Sequence, residues 1–320
     1  MKKQCLFSAP FSFLPDDVIR KYRNFMPTEF REIWSRADLL PDDKLTAWAM
    51  NPGQNFIVDE SILEYFPNIQ VLSTPSTGSN HIDRDVCARR GVAVFSLLDN
   101  RSVLDTISAS AEFTFLLLIN SLRRLDFSLP EVTEGRWRAN EDEMRGRELA
   151  GKHIGLVGLG RIGRRMARYC QAFDATVSFY DPYVKTEEIP AWPLKRIFED
   201  SDAVCICPAL TDETRGMIDY NLLKRLRTGA SFVNTSRGEV LVDADLARIL
   251  AERPDLRVGL DVLTGEVTAS QYQSPLIEYH RKGQIVITPH IAGATVESQA
   301  KAAIGALNSF EAYYSASKIP

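Results

Sequence analysis

The sequence has few cysteines, no long apolar run and no strong excess of either charge. Its 320 residues include five cysteines, at positions 5, 87, 170, 205 and 207. The number is odd, most lie in apolar runs, and Cys205-Ile206-Cys207 lacks the spacing of a zinc knuckle, so we expect reduced, buried thiols in a cytosolic protein. No apolar run approaches the ~20 residues of a membrane span, and Pro10 interrupts the only stretch that resembles a signal peptide.

Charge and composition exclude further classes of protein. The net charge of -4 and the isoelectric point near 5.7 argue against a nucleic acid or a membrane surface as a partner. The chain is 45% hydrophobic and 25% charged, which is ordinary for a globular protein, and it contains no repeats and no low-complexity segment. Its length is sufficient for two domains, each with its own core.

A glycine-rich turn between two apolar runs is the most informative feature that is present. The first run ends in Gly158-Leu159-Gly160-Arg161-Ile162-Gly163, and the following residues continue at helical spacing. A second apolar run, 175–180, ends in Asp181, which lies 18 residues after Gly163. Strand, glycine turn, helix, strand and acid form the order that a dinucleotide site requires.

Each residue of this motif has a physical role in binding the dinucleotide. Gly158 permits the tight turn, Gly160 lets the backbone approach the pyrophosphate, and Gly163 lets the helix pack close to the strand. The helix N-terminus presents N–H groups and a positive dipole end to the phosphates. Asp181 can accept hydrogen bonds from both ribose hydroxyls and would repel a 2′-phosphate, so the sequence favours NAD over NADP. Glycines also serve ordinary turns, but the full order favours a cofactor site.

Short apolar segments that alternate with helical patterns predict an α/β fold. The candidate strands are 5–7, 47–49, 71–73, 92–95, 153–157, 175–180, 203–207, 231–234, 258–262 and 285–288. A helix over 106–122 has an apolar centre that must be buried, in the core or in a dimer contact. The final helix is expected over 296–315.

A nucleotide domain that starts inside the chain implies an insertion. We expect a Rossmann-type doubly wound parallel sheet, residues 102–291, inserted into a smaller flavodoxin-like α/β substrate domain. Residues 1–101 form the first part of the substrate domain, and a return helix in 292–320 completes it. The ligand cleft is expected between the domains, at the carboxyl ends of the strands.

Three polar residues each follow a predicted strand in the second half of the chain. They are Arg237, Glu266 and His290. An open parallel sheet binds ligands at this edge, and these residue types are what a 2-hydroxy acid dehydrogenase needs. The arginine pairs with a carboxylate and polarises a carbonyl. The histidine moves a proton near neutral pH, and the acid fixes its tautomer and stabilises the imidazolium.

With these motifs in place, the chain resembles the D-isomer-specific 2-hydroxyacid dehydrogenase family over nearly its whole length. The segments that carry the resemblance are Thr77-Gly78-Ser79-Asn80-His81-Ile82-Asp83, residues 110–114, 135–137, 148–152 and 211–218, the glycine turn, and the stretches around Arg237, Glu266 and His290. The family resemblance implies an NAD-dependent oxidoreductase that transfers a hydride between nicotinamide C4 and C2 of a D-2-hydroxy or 2-keto acid. It also implies a homodimer, in which the apolar helix forms the dimer contact. No metal site is expected, and the cysteine pattern indicates a cytoplasmic protein.

The resemblance also implies a role for each matching residue. His290 would be the acid/base that faces the substrate, Glu266 its partner, and Arg237 the ligand of the substrate carboxylate and reacting oxygen. Backbone amides at Thr77, Gly78 and Ser79 would hold the carboxylate. Besides the three glycines, the implied cofactor positions are Thr77, Arg161, Ile162, Asp181, Pro208, Thr235, Asp261 and Gly293.

The chain departs from the family pattern at three places. Val267 replaces the usual proline after the glutamate, Cys207-Pro208-Ala209 replaces the usual His-x-Pro, and the loop 268–274 is atypical. The last two departures concern pocket shape, and all three catalytic side chains are retained.

Structural explanations compete with each catalytic assignment. Arg237 could form a surface ion pair with Glu239 or Asp243, Glu266 could be an ordinary loop carboxylate, and His290 could be a satisfied buried histidine. His81 is expected to make a structural hydrogen bond, and His153 and His280 to be surface or packing residues.

Two other functions compete with the dehydrogenase. One is a dinucleotide-sensing regulator on the same fold, like the C-terminal-binding-protein corepressors, which also keep the triad. The other is hydride abstraction from formate, a branch of the family that normally carries glutamine at the position of Glu266.

Overall fold

The computed structural model describes residues 3–316 and divides them into two compact units. Within that range, unit 1 comprises residues 3–107, 267–269 and 294–316, and unit 2 comprises 108–266 and 270–293. The predicted domain boundaries are 101/102 and 291/292, whereas the chain changes unit at 107/108 and 293/294. The three residues after Glu266 also group with unit 1, which the sequence pattern does not indicate.

The secondary structure of the described residues alternates strands and helices. The strands are β1 (Gln4–Phe7), β2 (Thr28–Phe30), β3 (Leu45–Ala49), β4 (Val71–Ser73), β5 (Ala93–Phe95), β6 (His153–Val157), β7 (Thr176–Tyr180), β8 (Ala203–Ile206), β9 (Ser231–Asn234), β10 (Arg257–Leu260) and β11 (Ile285–Ile287). The helices are α1 (Asp16–Phe25), α2 (Glu60–Leu63), α3 (Arg84–Arg89), α4 (Arg101–Leu104), α5 (Ala109–Arg123), α6 (Leu125–Thr133), α7 (Glu141–Met144), α8 (Arg161–Ala172), α9 (Leu194–Asp200), α10 (Tyr220–Leu223), α11 (Asp243–Glu252), α12 (Leu276–Arg281) and α13 (Val296–Ala316).

Unit 1 contains a parallel sheet with the strand order β2-β1-β3-β4-β5. This order is the flavodoxin-like one, as predicted. The edge strand β2 was not predicted, because three residues after Pro27 are too few to show an alternating pattern. Apolar side chains cover both faces of the sheet, so its strands are fully buried runs rather than alternating ones.

The last helix, α13, completes the core of unit 1. It begins at the predicted residue and contacts β3 and β4. Ala303 and Ala306 are each 1% exposed, and their small side chains allow the helix to lie close to the sheet. The hydroxyl of Tyr22 on α1 donates to the backbone oxygen of Ala303 at 2.7 Å, which joins the first and last helices of the unit.

Unit 2 contains a parallel sheet with the strand order β11-β10-β9-β8-β6-β7. An isolated bridge between Phe179 and Ala191 extends the sheet beyond β7. The chain leaves β6 toward β7 and returns on the other side of β6 to form β8. The carboxyl ends of β6 and β8 therefore form the topological switch point, where doubly wound sheets bind nucleotides.

The helix α5 is the apolar helix that the sequence predicts over 106–122. It begins later, at Ala109, because Arg101–Leu104 forms the separate helix α4. It packs on α8, β9 and β10 of unit 2, where Leu117 and Leu118 are buried. By length and composition alone, Arg101–Arg123 is long and apolar enough to cross a membrane, a test that buried core helices also pass.

Candidate active site

The glycine turn after β6 requires glycine at two of its positions. Gly158 has φ +89, and a Cβ there would lie 2.8 Å from the backbone nitrogen of Pro208. A Cβ on Gly163 would lie 2.2 Å from the backbone oxygen of Gly158. These approaches bring the turn, the start of α8 and the end of β8 together at the switch point.

The N-terminus of α8 provides the space and polarity that a pyrophosphate needs. Gly160 is its N-cap, and a Cβ at this residue would meet no atom within 4 Å. Within residues 3–316, no side chain caps this helix by a hydrogen bond, and its first turn carries no acid. Arg161 and Ile162 are the first two helical residues, where backbone N–H groups and the helix dipole attract phosphate.

Asp181 directly follows β7 and is anchored to the glycine turn. Its Oδ2 accepts from the backbone N–H of Leu159 at 2.8 Å, and its Oδ1 accepts from those of Tyr183 at 2.9 Å and Val184 at 3.2 Å. A carboxylate has about four acceptor sites, two on each oxygen, so Oδ2 retains capacity for a hydroxyl donor. These residues fit the adenosine ribose and the pyrophosphate of a dinucleotide.

Arg237, Glu266 and His290 follow three neighbouring strands, β9, β10 and β11. Gly238 allows the loop after β9 to lie close against the loop after β10. A Cβ on this residue would lie only 2.0 Å from the backbone carbonyl carbon of Leu263. Since parallel strands end at one edge of the sheet, the three side chains share that edge of unit 2.

Glu266 and His290 form a hydrogen-bonded pair. Oε2 of Glu266 lies 2.5 Å from Nδ1 of His290, and Oε1 accepts from the backbone N–H of Leu263 at 2.8 Å. Because an ionised carboxylate only accepts, Nδ1 is the donor, and Nε2 is the nitrogen left for a ligand. The His290 side chain is 47% exposed, so it is not the buried, satisfied histidine of the structural alternative.

Asp261 holds the loop that carries His290. Its side chain is fully buried. Oδ1 accepts from the Thr288 hydroxyl at 2.5 Å and from the backbone N–H of Ile291 at 2.9 Å. Oδ2 accepts from the backbone N–H of Ala292 at 2.8 Å. Burial raises the pKa of Asp261, and these hydrogen bonds oppose that shift. The loop also holds His290 at φ +55, a conformation that non-glycine residues rarely adopt.

Arg237 is largely buried, and the negative charges of two glutamates act on it. Burial lowers the pKa of its guanidinium, and the negative charges of Glu266 and Glu239 act in the opposite direction. Its Nη1 donates to the backbone oxygen of Ser236 at 2.6 Å, and it forms no ion pair within the described part of the chain. The alternative of a surface ion pair between Arg237 and Glu239 or Asp243 is therefore wrong.

Asp243 instead braces the loop of Glu266, a role that the sequence pattern did not indicate. Its Oδ1 accepts from the Thr264 hydroxyl at 3.2 Å, and its Oδ2 accepts from the Ser274 hydroxyl at 2.6 Å. One carboxylate thus ties both ends of the loop that contains Glu266. Burial raises the pKa of Asp243, and the two hydroxyl donors oppose this shift.

The remaining predicted positions of unit 2 lie near these loops. The Thr235 hydroxyl is 2.5 Å from that of Thr114, which places the end of β9 against α5. Pro208 lies against the glycine turn, as described above. Gly293 ends unit 2, and a Cβ on it would lie 3.6 Å from the hydroxyl oxygen of Ser110.

The predicted substrate loop belongs to unit 1. Thr77, Gly78 and Ser79 follow the carboxyl end of β4 and are half-buried. The Ser76 hydroxyl donates to the backbone oxygen of Gly78 at 2.7 Å. The His81 ring makes the structural hydrogen bond expected of it, with Nε2 3.1 Å from the Thr74 hydroxyl.

The other two histidines also have structural partners. His153 stacks on Trp192 with ring centroids 4.4 Å apart, and its Nε2 lies 2.8 Å from the Ser178 hydroxyl. Nδ1 of His280 lies 3.2 Å from the backbone oxygen of Ile285. Within residues 3–316, no group of three His, Cys, Asp or Glu side chains has the arrangement of a metal site.

Comparison with known proteins identifies the family. Residues 115–292 match the model of the D-isomer specific 2-hydroxyacid dehydrogenase, NAD binding domain. The chain belongs to the D-isomer-specific 2-hydroxyacid dehydrogenase family. The match confirms the resemblance seen in the sequence and identifies NAD as the cofactor of unit 2.

Individual relatives support this membership. A D-3-phosphoglycerate dehydrogenase of Mycobacterium tuberculosis is 31% identical over 250 residues, which are 77% of this chain but only 45% of that protein. The chain thus spans about half of the length of that relative. A glyoxylate reductase of Thermofilum pendens is 33% identical over 254 residues, 77% of this chain and 72% of the relative.

A solved structure confirms the fold. The D-lactate dehydrogenase of Aquifex aeolicus, solved with NAD and lactic acid, matches with a TM-score of 0.78 at 24% identity. The match covers 98% of this chain and 96% of that chain. The Rossmann-type α/β prediction is therefore correct.

We predict that Asp243→Asn loosens the loop of Glu266. The amide is neutral and has one acceptor oxygen where two hydroxyls now donate, so one hydroxyl must turn to accept from the amide N–H and both hydrogen bonds lose their charged acceptor, a loss of about 1.5–3 kcal/mol. Amide hydrogen exchange over residues 264–274 should accelerate roughly tenfold or more. Asp245→Asn is the matched control, because Asp245 lies on the same helix and accepts from the backbone N–H of Tyr220 instead. Equal rates of amide hydrogen exchange over residues 264–274 in the two variants would contradict this role of Asp243.

Proposed function

We propose that the chain is an NAD-dependent D-2-hydroxyacid dehydrogenase in which His290 transfers the proton. The observation that carries the proposal is the 2.5 Å contact between Glu266 and His290 on the sheet edge that also presents Arg237. This is the acid/base pair and cation that reduction of a 2-keto acid requires. The relatives are named for 3-phosphoglycerate, glyoxylate and lactate, which are all 2-hydroxy or 2-keto acids.

His290 and Arg237 divide the chemistry between them. With Nδ1 bonded to Glu266, the imidazolium donates the Nε2 proton to the carbonyl oxygen of the keto acid and recovers it in oxidation. Arg237 binds the substrate carboxylate beside that oxygen and stabilises the charge that develops on it. The backbone amides of Thr77, Gly78 and Ser79 are proposed to hold the same carboxylate. The bound cofactor would supply the hydride from nicotinamide C4 as NADH in reduction, or accept it there as NAD in oxidation.

The residues around the turn are proposed to bind and orient the cofactor. Gly160, Arg161 and Ile162 meet the pyrophosphate through backbone amides, and Asp181 accepts from the ribose. Pro208 lies at the adenosine half, and Thr235, Asp261 and Gly293 frame the nicotinamide half. Because Asp261 also holds the His290 loop, its removal is expected to affect both cofactor binding and proton transfer.

We infer that the protein works in a reducing, cytoplasmic environment. All five cysteines lie in the described range and are free thiols. Burial raises the pKa of Cys170 and Cys207 to about 12, which keeps these thiols protonated near neutral pH. Protonated, buried thiols support a packing role rather than a catalytic one.

We predict that His290→Ala lowers turnover on the best 2-keto acid roughly 10²–10⁴-fold, the usual contribution of a general acid/base, without loss of NADH binding. His153→Gln, a histidine outside the pair, is the control and should keep normal turnover. Glu266→Gln replaces the carboxylate that accepts from Nδ1 of His290 by a neutral amide, so it should also lower turnover while keeping NADH binding. Near-normal turnover of His290→Ala, measured by NADH oxidation across a keto acid panel, would refute the mechanism.

We predict that Asp181 determines the preference for NAD. Asp181→Ala should raise the Kd for NAD roughly 10- to 100-fold, because hydrogen bonds to a charged acceptor are lost. Its ratio of NADP to NAD use should increase, since the repulsion of a 2′-phosphate disappears. Cofactor titrations that show a tenfold preference for NADP in the wild type would overturn this assignment. Asp174→Ala, an exposed aspartate before β7, is the control.

We infer that unit 2 pairs with a second copy through α5 and α6. Leu125, Leu129 and Val132 form a stripe at helical spacing on α6 and are 51%, 58% and 58% exposed. Leu116 on α5 and Phe173 after α8 are also more than half exposed. Exposed apolar side chains grouped in this way are typical of a subunit interface.

We predict a homodimer of twice the 36.0 kDa chain mass, detectable by multi-angle light scattering at micromolar concentration. Val132→Glu should shift the population toward the monomer, because a charge cannot be buried in an apolar interface without a partner. Leu40→Glu, at a side chain of unit 1 that is 59% exposed, should leave the dimer intact. A wild-type protein that remains monomeric would contradict the inference.

A further inference from the structure

The amino edge of the unit 2 sheet contains a small polar cavity. Its volume is about 20 Å³, enough for one water-sized group. Arg257 at the start of β10 and Ile285 at the start of β11 line one side, and Arg124 and Asp126 line another. Because Asp261 follows Arg257 by four residues along β10, this cavity lies roughly 13 Å from the edge that carries Asp261.

Positive charge is concentrated around this cavity. Burial lowers the pKa of Arg257, and the positive charges of Arg124 and Arg147 lower it further, while Asp255 and Asp126 oppose the shift. Like charges at close range in a partly enclosed site repel one another strongly. Two of these cations, Arg124 and Arg257, line the cavity, and the exposed Arg147 adds to the repulsion from outside it.

The nearby carboxylates of Asp255 and Asp126 offset this repulsion only in part. In the part of the chain that the structure describes, Arg124, Arg147 and Arg257 form no ion pair with a carboxylate and donate to backbone oxygens. Asp255 is engaged by Arg253 through two hydrogen bonds of 2.8 Å each. Asp126 lines the cavity but accepts from the amide of Asn120 at 3.0 Å.

Each guanidinium keeps donors that the protein does not use. Arginine has five N–H donors in a planar fork, and the backbone contacts of Arg124 and Arg257 engage only one nitrogen of each. The unused donors match a halide or an oxyanion, because such an ion accepts several hydrogen bonds and carries the negative charge that balances the arginines.

We propose that this cavity is a binding site for one small inorganic anion, bound by Arg124 and Arg257 and attracted further by Arg147. Chloride fits a cavity of this size, whereas sulfate, with five heavy atoms, is too large and is titrated separately as the size control. The site is separate from the predicted substrate and cofactor residues, so it does not depend on the proposed reaction.

The test compares thermal unfolding in each anion at constant ionic strength, with potassium gluconate as the bulky reference salt. At a chloride concentration near ten times Kd, the wild-type melting temperature should rise roughly 3–5 °C above that in gluconate. Arg124→Gln and Arg257→Gln should both lose this response. Arg168→Gln, at an exposed arginine of α8, should keep it and also controls for general salt effects.

A second readout separates anion binding from a merely structural role of the arginines. In gluconate alone, Arg124→Gln should melt close to the wild-type temperature, because the loss of one repelling charge offsets the loss of the contacts of Arg124 with the Glu143 backbone oxygen and the Phe127 ring. With chloride present, only the wild type should gain stability, so the wild type should melt at the higher temperature. The same anion response in Arg124→Gln and the wild type would overturn the proposal. So would a melting temperature that depends on protein concentration and not on the anion, because a carboxylate of a second copy would then fill the cavity.

Discussion

The buried carboxylate of Asp261 is the constraint on which the catalytic edge of unit 2 depends. A fully buried charge is costly unless it is hydrogen-bonded, and here three donors from the loop 288–292 satisfy it. The same contacts determine the path of the loop and hold His290 in a left-handed conformation. The direction of the imidazole ring, and with it the contact to Glu266, therefore follows from one buried charge and its donors.

Close backbone approaches arrange the other parts of the site around this carboxylate. Gly238 brings the loop of Arg237 against Leu263, only three residues before Glu266. Gly158 and Gly163 likewise allow the turn, α8 and the end of β8 to lie close together at the switch point. In both places a side chain would separate groups that must act together, so the glycines position the arginine and the dinucleotide site as directly as the charged residues do.

The sequence predicted those parts of the fold whose signals are local. Buried strands such as β4 and β9 appear as apolar runs, and the glycine turn with Asp181 indicates the dinucleotide site. The edge strand β2 and the break before α5 were not predicted, because pairing and packing determine them rather than local propensity. For the same reason, the grouping of residues 267–269 with unit 1 has no signal in the sequence.

The candidate site shows the same division between local and tertiary information. Arg237, Glu266 and His290 could be singled out because each follows a strand of an open sheet. Asp243 and the cavity beside Arg257 could not, because their partners lie 20 to 130 residues away in the chain and only the fold brings them together. A residue whose role is to hold another residue carries no motif of its own.

The most direct test of this account is the tautomer of His290, measured by ¹⁵N NMR of the imidazole in the wild type and in Glu266→Gln. Neutral His290 in the wild type should carry its proton on Nδ1, bonded to Glu266, with Nε2 unprotonated. Loss of the ionised acceptor in Glu266→Gln should weaken that preference. A wild-type ring that carries its proton on Nε2, or spectra that do not differ between the two proteins, would contradict the pairing on which the proposed proton transfer rests.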